Sequence, residues 1–405
     1  MTYDLILKGG HVLDPGLSID QTMDIAIADG RIAEMGSDLP ADAAKAVIEV
    51  RGANRYVVPG LIDMHCHIAY GSTTHGVGLD CCRPDDVGVE SGVTTVIDGG
   101  SVGAGNIGVF PAHIIPHSKT RIRTLLNVAS FAHTMPKPAD MDSLDELDRD
   151  AIARCIENNP GLVSGFKLRL VGSIVDEIGE SLVDRAKEIS REHRLPLTVH
   201  IGDPRAGGRD HPERVDEVTR HLLRTLEQGD ILTHICTPNI GGVMDNSLNP
   251  YPELSEARAN GVVLDSALGR GHFGYEVACR QAQAGVMPDT ISSDLSAMGQ
   301  DFHSLLECMS KFMAVGYGLS DVIRMTTVNP AKVNGLEDSL GALAVGREAD
   351  ITILDLVEGD FKFLDTRQNV FKGNYGLAPV QTVRAGTLHA PRWGTHPWGW
   401  LPDSD

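Results

Sequence analysis

The 405-residue sequence predicts an α/β fold: a (β/α)8 TIM barrel with a small β-sandwich formed by the N- and C-terminal segments. Three observations predict it. Eight short apolar runs alternate with helical stretches from Val57 to about Gly335. Both chain ends show short alternating strands with turn residues between them. Residues able to bind metal recur at the ends of the apolar runs, at intervals that suit one strand-plus-helix repeat.

In order, "YDLILKGGHVLD" and "MDIAIADGRIAEMG" open the chain, and Asp29-Gly30 inside the second is a strong two-residue hairpin signal. "AVIEVRGANRYVVPG" leads into the middle region. The barrel runs are "YVVPGLIDMHCH", "VTTVIDGG", "IRTLLNVAS", "GFKLRL", "PLTVHIG", "DILTHI", "GVVLDSAL" and "DTISSDLS". Amphipathic segments such as "ESLVDRAKEISREH" and "PERVDEVTRHLLRTLEQG" separate them. Then "LGALAVGREADITILD" and "VQTVRAGTLH" return to strands. The expected domains are therefore a discontinuous sandwich, 1–56 and 343–405, around a barrel, 57–342. The tail "HAPRWGTHPWGWLPDSD" holds all three tryptophans, and packing against the chain's own barrel is preferred to an anchor on another surface.

Composition excludes several function classes. A net charge of −20 argues against nucleic acid and anionic membrane as partners, both of which need basic patches. No window reaches the ~20 apolar residues of a membrane span, and no secretory signal is visible. Seven scattered cysteines without a C-x-x-C pair read as reduced thiols in a cytoplasmic protein.

The chemistry is carried by strand ends. His65 and His67 stand one residue apart after Pro59-Gly60, so on a strand they share a face. Lys167 lies in "GFKLRL", His200 ends "LTVHIG", His234 ends "ILTHI", and Asp294 sits in "ISSDLS". From His67 to Lys167 is 100 residues, then 33 to His200, 34 to His234 and 60 to Asp294. That places the six residues at the ends of strands one, four, five, six and eight, the end where barrel active sites lie. Four imidazoles, one carboxylate and one lysine suit two divalent metal ions, with zinc the first expectation. A lysine desolvated beside cations loses its proton more easily, and a neutral amine can add carbon dioxide. N6-carboxylated Lys167 would then be an anion able to bridge the pair.

These pieces, with "GVTTVIDGGSVGAGN", "TVHIGDP", "DTISSDLSAMG" and "TTVNPAKVNGLEDSLGALAVGREADITILD", resemble the amidohydrolase superfamily over nearly the whole chain. The branch resembled is the binuclear, lysine-bridged one, and within it the dihydroorotase-like amidohydrolase/deacetylases. By that resemblance His65, His67 and Asp294 would hold the more buried metal, and His200 and His234 the other. Lys167 would bridge them together with a hydroxide, and Asp294 would be the catalytic proton shuttle.

Arg169 shares the inward face of Lys167 nearer the rim and is a candidate clamp for an anionic substrate group. A salt bridge to an acidic neighbour such as Asp63 or Asp98 is the competing reading. In the turn "DSALGRGHFGY", Arg270 and His272 are candidate substrate contacts, though His272 falls late where relatives carry an early histidine and Leu268 stands here. Three signals are set aside. "GAGNIG" fits a dinucleotide fingerprint, but Pro111 and Pro116 oppose the required helix, so it reads as a loop over the site. His113 and His117 flank Pro116 and read as surface. Cys66 must face away from its histidine neighbours, and Cys236 is weighed as a pocket residue.

The expected function is metal-dependent hydrolysis of a carboxamide or acyl ester of a small carboxylate-bearing molecule, of the deacetylase type. Cyclic-amide ring opening is the enzymatic alternative, although no arginine follows His67 in "IAYGSTTHG", as it does in dihydroorotases. A metal-free scaffold is the non-enzymatic alternative, against which all six ligand-type residues argue. A small anionic substrate and a homo-oligomer are the expected partners.

Overall fold

In the computed structural model, which describes residues 2–72, 81–134, 140–297 and 304–392, the chain forms two sheets. The N-terminal strands are β1 (Tyr3–Asp14), β2 (Ile19–Ala28), β3 (Arg31–Gly36), β4 (Ala44–Glu49) and β5 (Arg55–Pro59). Seven parallel strands follow: β6 (Leu61–Cys66), β7 (Val93–Asp98), β8 (Arg121–Asn127), β9 (Val163–Arg169), β10 (Leu197–His200), β11 (Ile231–Thr233) and β12 (Val263–Asp265). The chain then returns in β13 (Ile351–Leu364), β14 (Val370–Arg384) and β15 (Thr387–His389).

The terminal strands make one mixed sheet in the order β15-β14-β13-β5-β1-β2-β3, with β4 also on β1. Its residues share a core that includes Leu7, Val12, Ile25, Val57, Ile351 and Val383. Asp29 and Gly30 both take positive φ, +49° and +73°, which the two-residue turn between β2 and β3 requires. The Trp-rich end of the tail lies outside the described residues.

The seven barrel strands run in sequential order from β6 to β12, as strands do when a helix returns each to its neighbour's side. The eighth run, "DTISSDLS", is an irregular segment instead of a full strand, bridged to Asp265 at Thr290. It still closes the ring. Ser266 N–H and Leu268 N–H donate to the Thr290 and Ser292 carbonyls on one side. Asp294 N–H donates to His65 O at 2.6 Å, and His67 N–H to Leu295 O at 2.7 Å, on the other. Asp294 has φ +54°, so extended geometry breaks at the residue with the chemistry.

The two sheets are joined where β5 meets β6: Gly60 N–H donates to Asp350 O at 2.8 Å. The outer half of the β13–β14 hairpin leaves the terminal sheet and packs on the barrel. Phe361, Phe363 and Phe371 enter the barrel's core with Phe312 and Phe273, and the Tyr275 and Phe371 rings stack at 4.1 Å. The hairpin tip, 365–369, thus arrives at the barrel rim. None of the seven cysteines is in a disulfide. Among the described residues no helix is long and apolar enough to cross a membrane.

Candidate metal centre

Strand ends deliver the six residues to one place. His65, His67 and Asp294 form one group and His200, His234 and His272 another, each with donor atoms within 4.8 Å of one another. The groups abut through His65 and His234, whose ring centroids are 5.2 Å apart. Lys167 is buried beside them, its Nζ 2.9 Å from His65 Nε2.

Imidazole orientation is set from behind. His65 Nδ1 pairs with Thr233 Oγ1 at 3.1 Å, and that hydroxyl donates to Asp265. His67 Nδ1 pairs with Ser101 Oγ at 2.8 Å, and Ser101 donates to Asp98. His234 Nδ1 donates to Ala267 O at 2.7 Å. In each case the second nitrogen is left to face the centre, the arrangement that metal-binding histidines use. The Nε2 atoms of both His200 and His234 are buried with no hydrogen-bond partner in the structure. A buried donor or acceptor without a partner costs about 1–3 kcal/mol, and a divalent ion would satisfy both. The residues therefore fit a metal pair.

Close approach is part of the design. The Gly99-Gly100 pair ending β7 lies against the site. A Cβ at Gly99 would come within 2.6 Å of His65 Nε2, and one at Gly100 within 2.5 Å of the Lys167 Cβ. No side chain fits at either position.

Electrostatics follow from burial. Burial pulls the Lys167 ammonium down to about 8, with Arg169 adding to the effect and Asp294 opposing it. Burial and the neighbouring imidazoles hold His200 and His234 well below the usual range. Burial takes His272 to about 4. Burial pushes the Asp294 carboxyl up, but the surrounding histidines outweigh it and the net shift is strongly downward.

A cavity of about 320 Å³ opens onto the centre, lined by His67, Arg169, His200, His272 and Asp294, with Arg205 and Arg270 also on its wall. Arg169 does carry a salt bridge, but its partner is Asp140, at 3.0 Å, and not Asp63 or Asp98. Asp63 instead accepts from Ser293, and Asp98 from Ile68, Gly100 and Ser101. Burial raises the Asp140 carboxyl, yet Arg169 first, with His133 and the Asn127 amide, together outweigh it and leave it at about 2. Arg270 and His272 share a loop braced from two directions. Asn239 Nδ2 donates to Gly271 O at 2.7 Å, and Thr366, from the hairpin tip, donates to Arg270 O at 2.6 Å. His272 Nδ1 also meets Thr237 Oγ1 at 3.2 Å. Leu268 is buried.

The signals set aside fall as follows. Cys66 is buried with Sγ toward Ile97 O, and Cys236 turns its thiol to Gln281 Oε1 at 3.2 Å, away from the cavity. His113 and His117 are exposed. "GAGNIG" forms a hydrogen-bonded turn that runs into a π-helical turn, Phe110–Ile114, and a 3-10 turn, Ile115–His117, so Pro111 and Pro116 do not prevent helical turns there but no regular α-helix follows. Sequence reasoning missed His133, Asp140, Arg205 and Asp265. Only Asp265 carried a signal, as a carboxylate ending an apolar run.

The amidohydrolase family profile matches residues 56–388. The chain belongs to the amidohydrolase family. Among curated relatives of this amidohydrolase, a deacetylase from Agrobacterium fabrum is 31% identical, over 93% of this chain and 90% of that protein. A deacetylase from Brucella anthropi is 32% identical, over 90% and 87%. Among solved structures, an adenine deaminase superposes with a TM-score of 0.84 at 27% identity, over 96% of this chain and 100% of the other. A dihydroorotase superposes at 0.82 and 30%, over 96% and 99%.

Proposed function

We propose that this amidohydrolase is a metal-dependent deacylase, hydrolysing a non-peptide carbon–nitrogen bond, or the related ester, in a small acyl compound with an acidic group. His65, His67 and Asp294 would hold one divalent ion, zinc foremost, and His200 and His234 a second, with carboxylated Lys167 between them. Such ions, when bound, bring the pKa of a shared water near neutrality and polarise the scissile carbonyl. The supporting observation is the pair of buried, partnerless Nε2 atoms on His200 and His234, next to a second donor group that has Lys167 beside it.

The side chains supply the rest. Asp294 is ionised at the outset, so it begins as the proton acceptor and returns that proton to the departing group. Lys167, pulled down to about 8, has a far larger neutral fraction than an ordinary lysine, and the neutral amine is the form that takes up carbon dioxide. Arg169, fixed by Asp140, presents a guanidinium edge to the cavity, and Arg270 and His272 face the substrate from the loop after β12. The deacetylase names of relatives spanning most of the chain support the acyl reading. Ring opening of a cyclic amide is the second reading, favoured by the dihydroorotase superposition.

Metal analysis after gentle purification, with a screen of N-acyl amino acids, acylated hydroxy acids and cyclic imides, tests the proposal. Two ions per chain and acyl hydrolysis are expected, and Lys167→Ala should lose at least one ion. Less than one ion per chain, unrestored by zinc and bicarbonate, would leave a scaffold as the better account.

A further inference from the structure

The mechanism above leaves His133 unused. It sits in the loop after β8, and its Nε2 is buried without a hydrogen-bond partner. Its ring lies 4.8 Å from that of His67, and it lines the same cavity as Arg169 and Asp294. A polar atom so placed is costly unless something that enters the cavity completes it.

The backbone is bent to put it there. Ala132 has φ +45°, a left-handed conformation that costs an alanine about 1–2 kcal/mol and persists where the surroundings enforce it. The enforcing element is the "GAGNIG" loop. Asn106 Oδ1 accepts from Gly103 N–H at 3.0 Å, which shapes the loop, and Asn106 Nδ2 donates to Thr134 Oγ1 at 3.1 Å. Gly105 N–H donates to Ser130 O at 2.8 Å, and Thr134 N–H closes the turn on Phe131 O at 3.1 Å. The loop is thus a strap across residues 130–134, with His133 at the point it holds down.

We propose that His133 is a substrate-contacting residue whose Nε2–H donates a hydrogen bond to the acyl group of the bound substrate, and that Asn106 is the positioning residue that holds it. The assignment rests on the deacylase reading. Packed on His67, the ring adjoins the donor groups where the scissile bond must lie, while Arg270 is left to meet the distal end of the substrate.

The test uses the metal-loaded full chain with N-acetyl-alanine as substrate. His133→Phe should lower kcat about 100- to 1000-fold, as loss of a donor to a developing oxyanion does, with both metals retained. His133→Gln, which keeps an N–H, should recover part of that loss. Asn106→Leu should lower kcat with metal content unchanged, and Asn106→Asp, which still accepts from Gly103 but loses the amide donor to Thr134, should recover only part of it. No wild-type turnover of acyl substrates would overturn the deacylase reading, and this assignment with it. Wild-type turnover together with unchanged kcat in His133→Phe would overturn the assignment alone, as would loss of metal in that variant.

Discussion

Gly99→Ala should weaken metal binding at the His65 side of the centre. The added methyl would fall 2.6 Å from His65 Nε2, the nitrogen that faces the site, and closer still to the ring's Cδ2. The ring has little freedom to yield, because Nδ1 is tied to Thr233 and the side chain is buried. Gly99 has no positive φ, unlike Gly100 at +87°, so alanine suits its backbone and the effect is purely steric. Overpacking costs about 1–3 kcal/mol. Spent against the metal-bound geometry, that is roughly a 5- to 140-fold loss of affinity at 1.4 kcal/mol per tenfold. Competition against a chelator of known affinity measures it, with melting of the metal-free protein as the control. Wild-type metal affinity in Gly99→Ala would refute the reasoning, because it would mean that the His65 ring can move freely.

Asp294→Asn should retain metal while kcat falls about 100- to 10,000-fold, the range of a lost general acid–base group; full turnover would end its role as proton carrier. A pH prediction comes from the terminal sheet. Burial raises the Asp24 carboxyl, but the Lys8 ammonium at 2.9 Å and the Gly9 and Leu39 N–H groups outweigh it and hold it below 3.8. Its stabilisation is therefore complete well above 3.8 and is lost as pH falls through the lower, folded value. Thermal melting of Asp24→Asn should show a deficit that is constant near neutrality and shrinks on acidification toward pH 4 and below; a widening gap would contradict the sign.

Barrel strands and donor residues were legible because both follow a rule of position. A strand buried on two faces reads as an apolar run, and a polar residue ending it is conspicuous because it needs a partner. His65, His67, Lys167, His200 and His234 all announce themselves this way. "DTISSDLS" misled as to form: its serines bond to Asp63 and Asp265, and the turn at Asp294 interrupts regular pairing. Asp140 and His133 were hidden because loops have no period, so nothing local says that residue 140 reaches Arg169 or that a strap from residue 106 pins residue 133. The partner of Arg169 was mistaken because the strand-end acids Asp63 and Asp98 are nearer candidates by pattern, yet both are consumed by serine hydroxyls and backbone amides. His272 was read as cavity wall, and its place beside His200 and His234 depends on how the loop after β12 folds back.

The tip of the β13–β14 hairpin gives recognition a separate handle from reactivity. Thr366 holds Arg270 O, its own N–H donates to Phe273 O at 2.9 Å, and Arg367 reaches Pro238 O at 2.6 Å. Five residues translated long after the barrel therefore brace the loop that places Arg270 and His272 on the cavity wall. Changing them should alter which molecules are admitted while leaving His65, His67 and Asp294 in place. Because Phe361, Phe363 and Phe371 of the same hairpin sit in the barrel's core, the packing of the barrel and the bracing of its rim come from one stretch of chain.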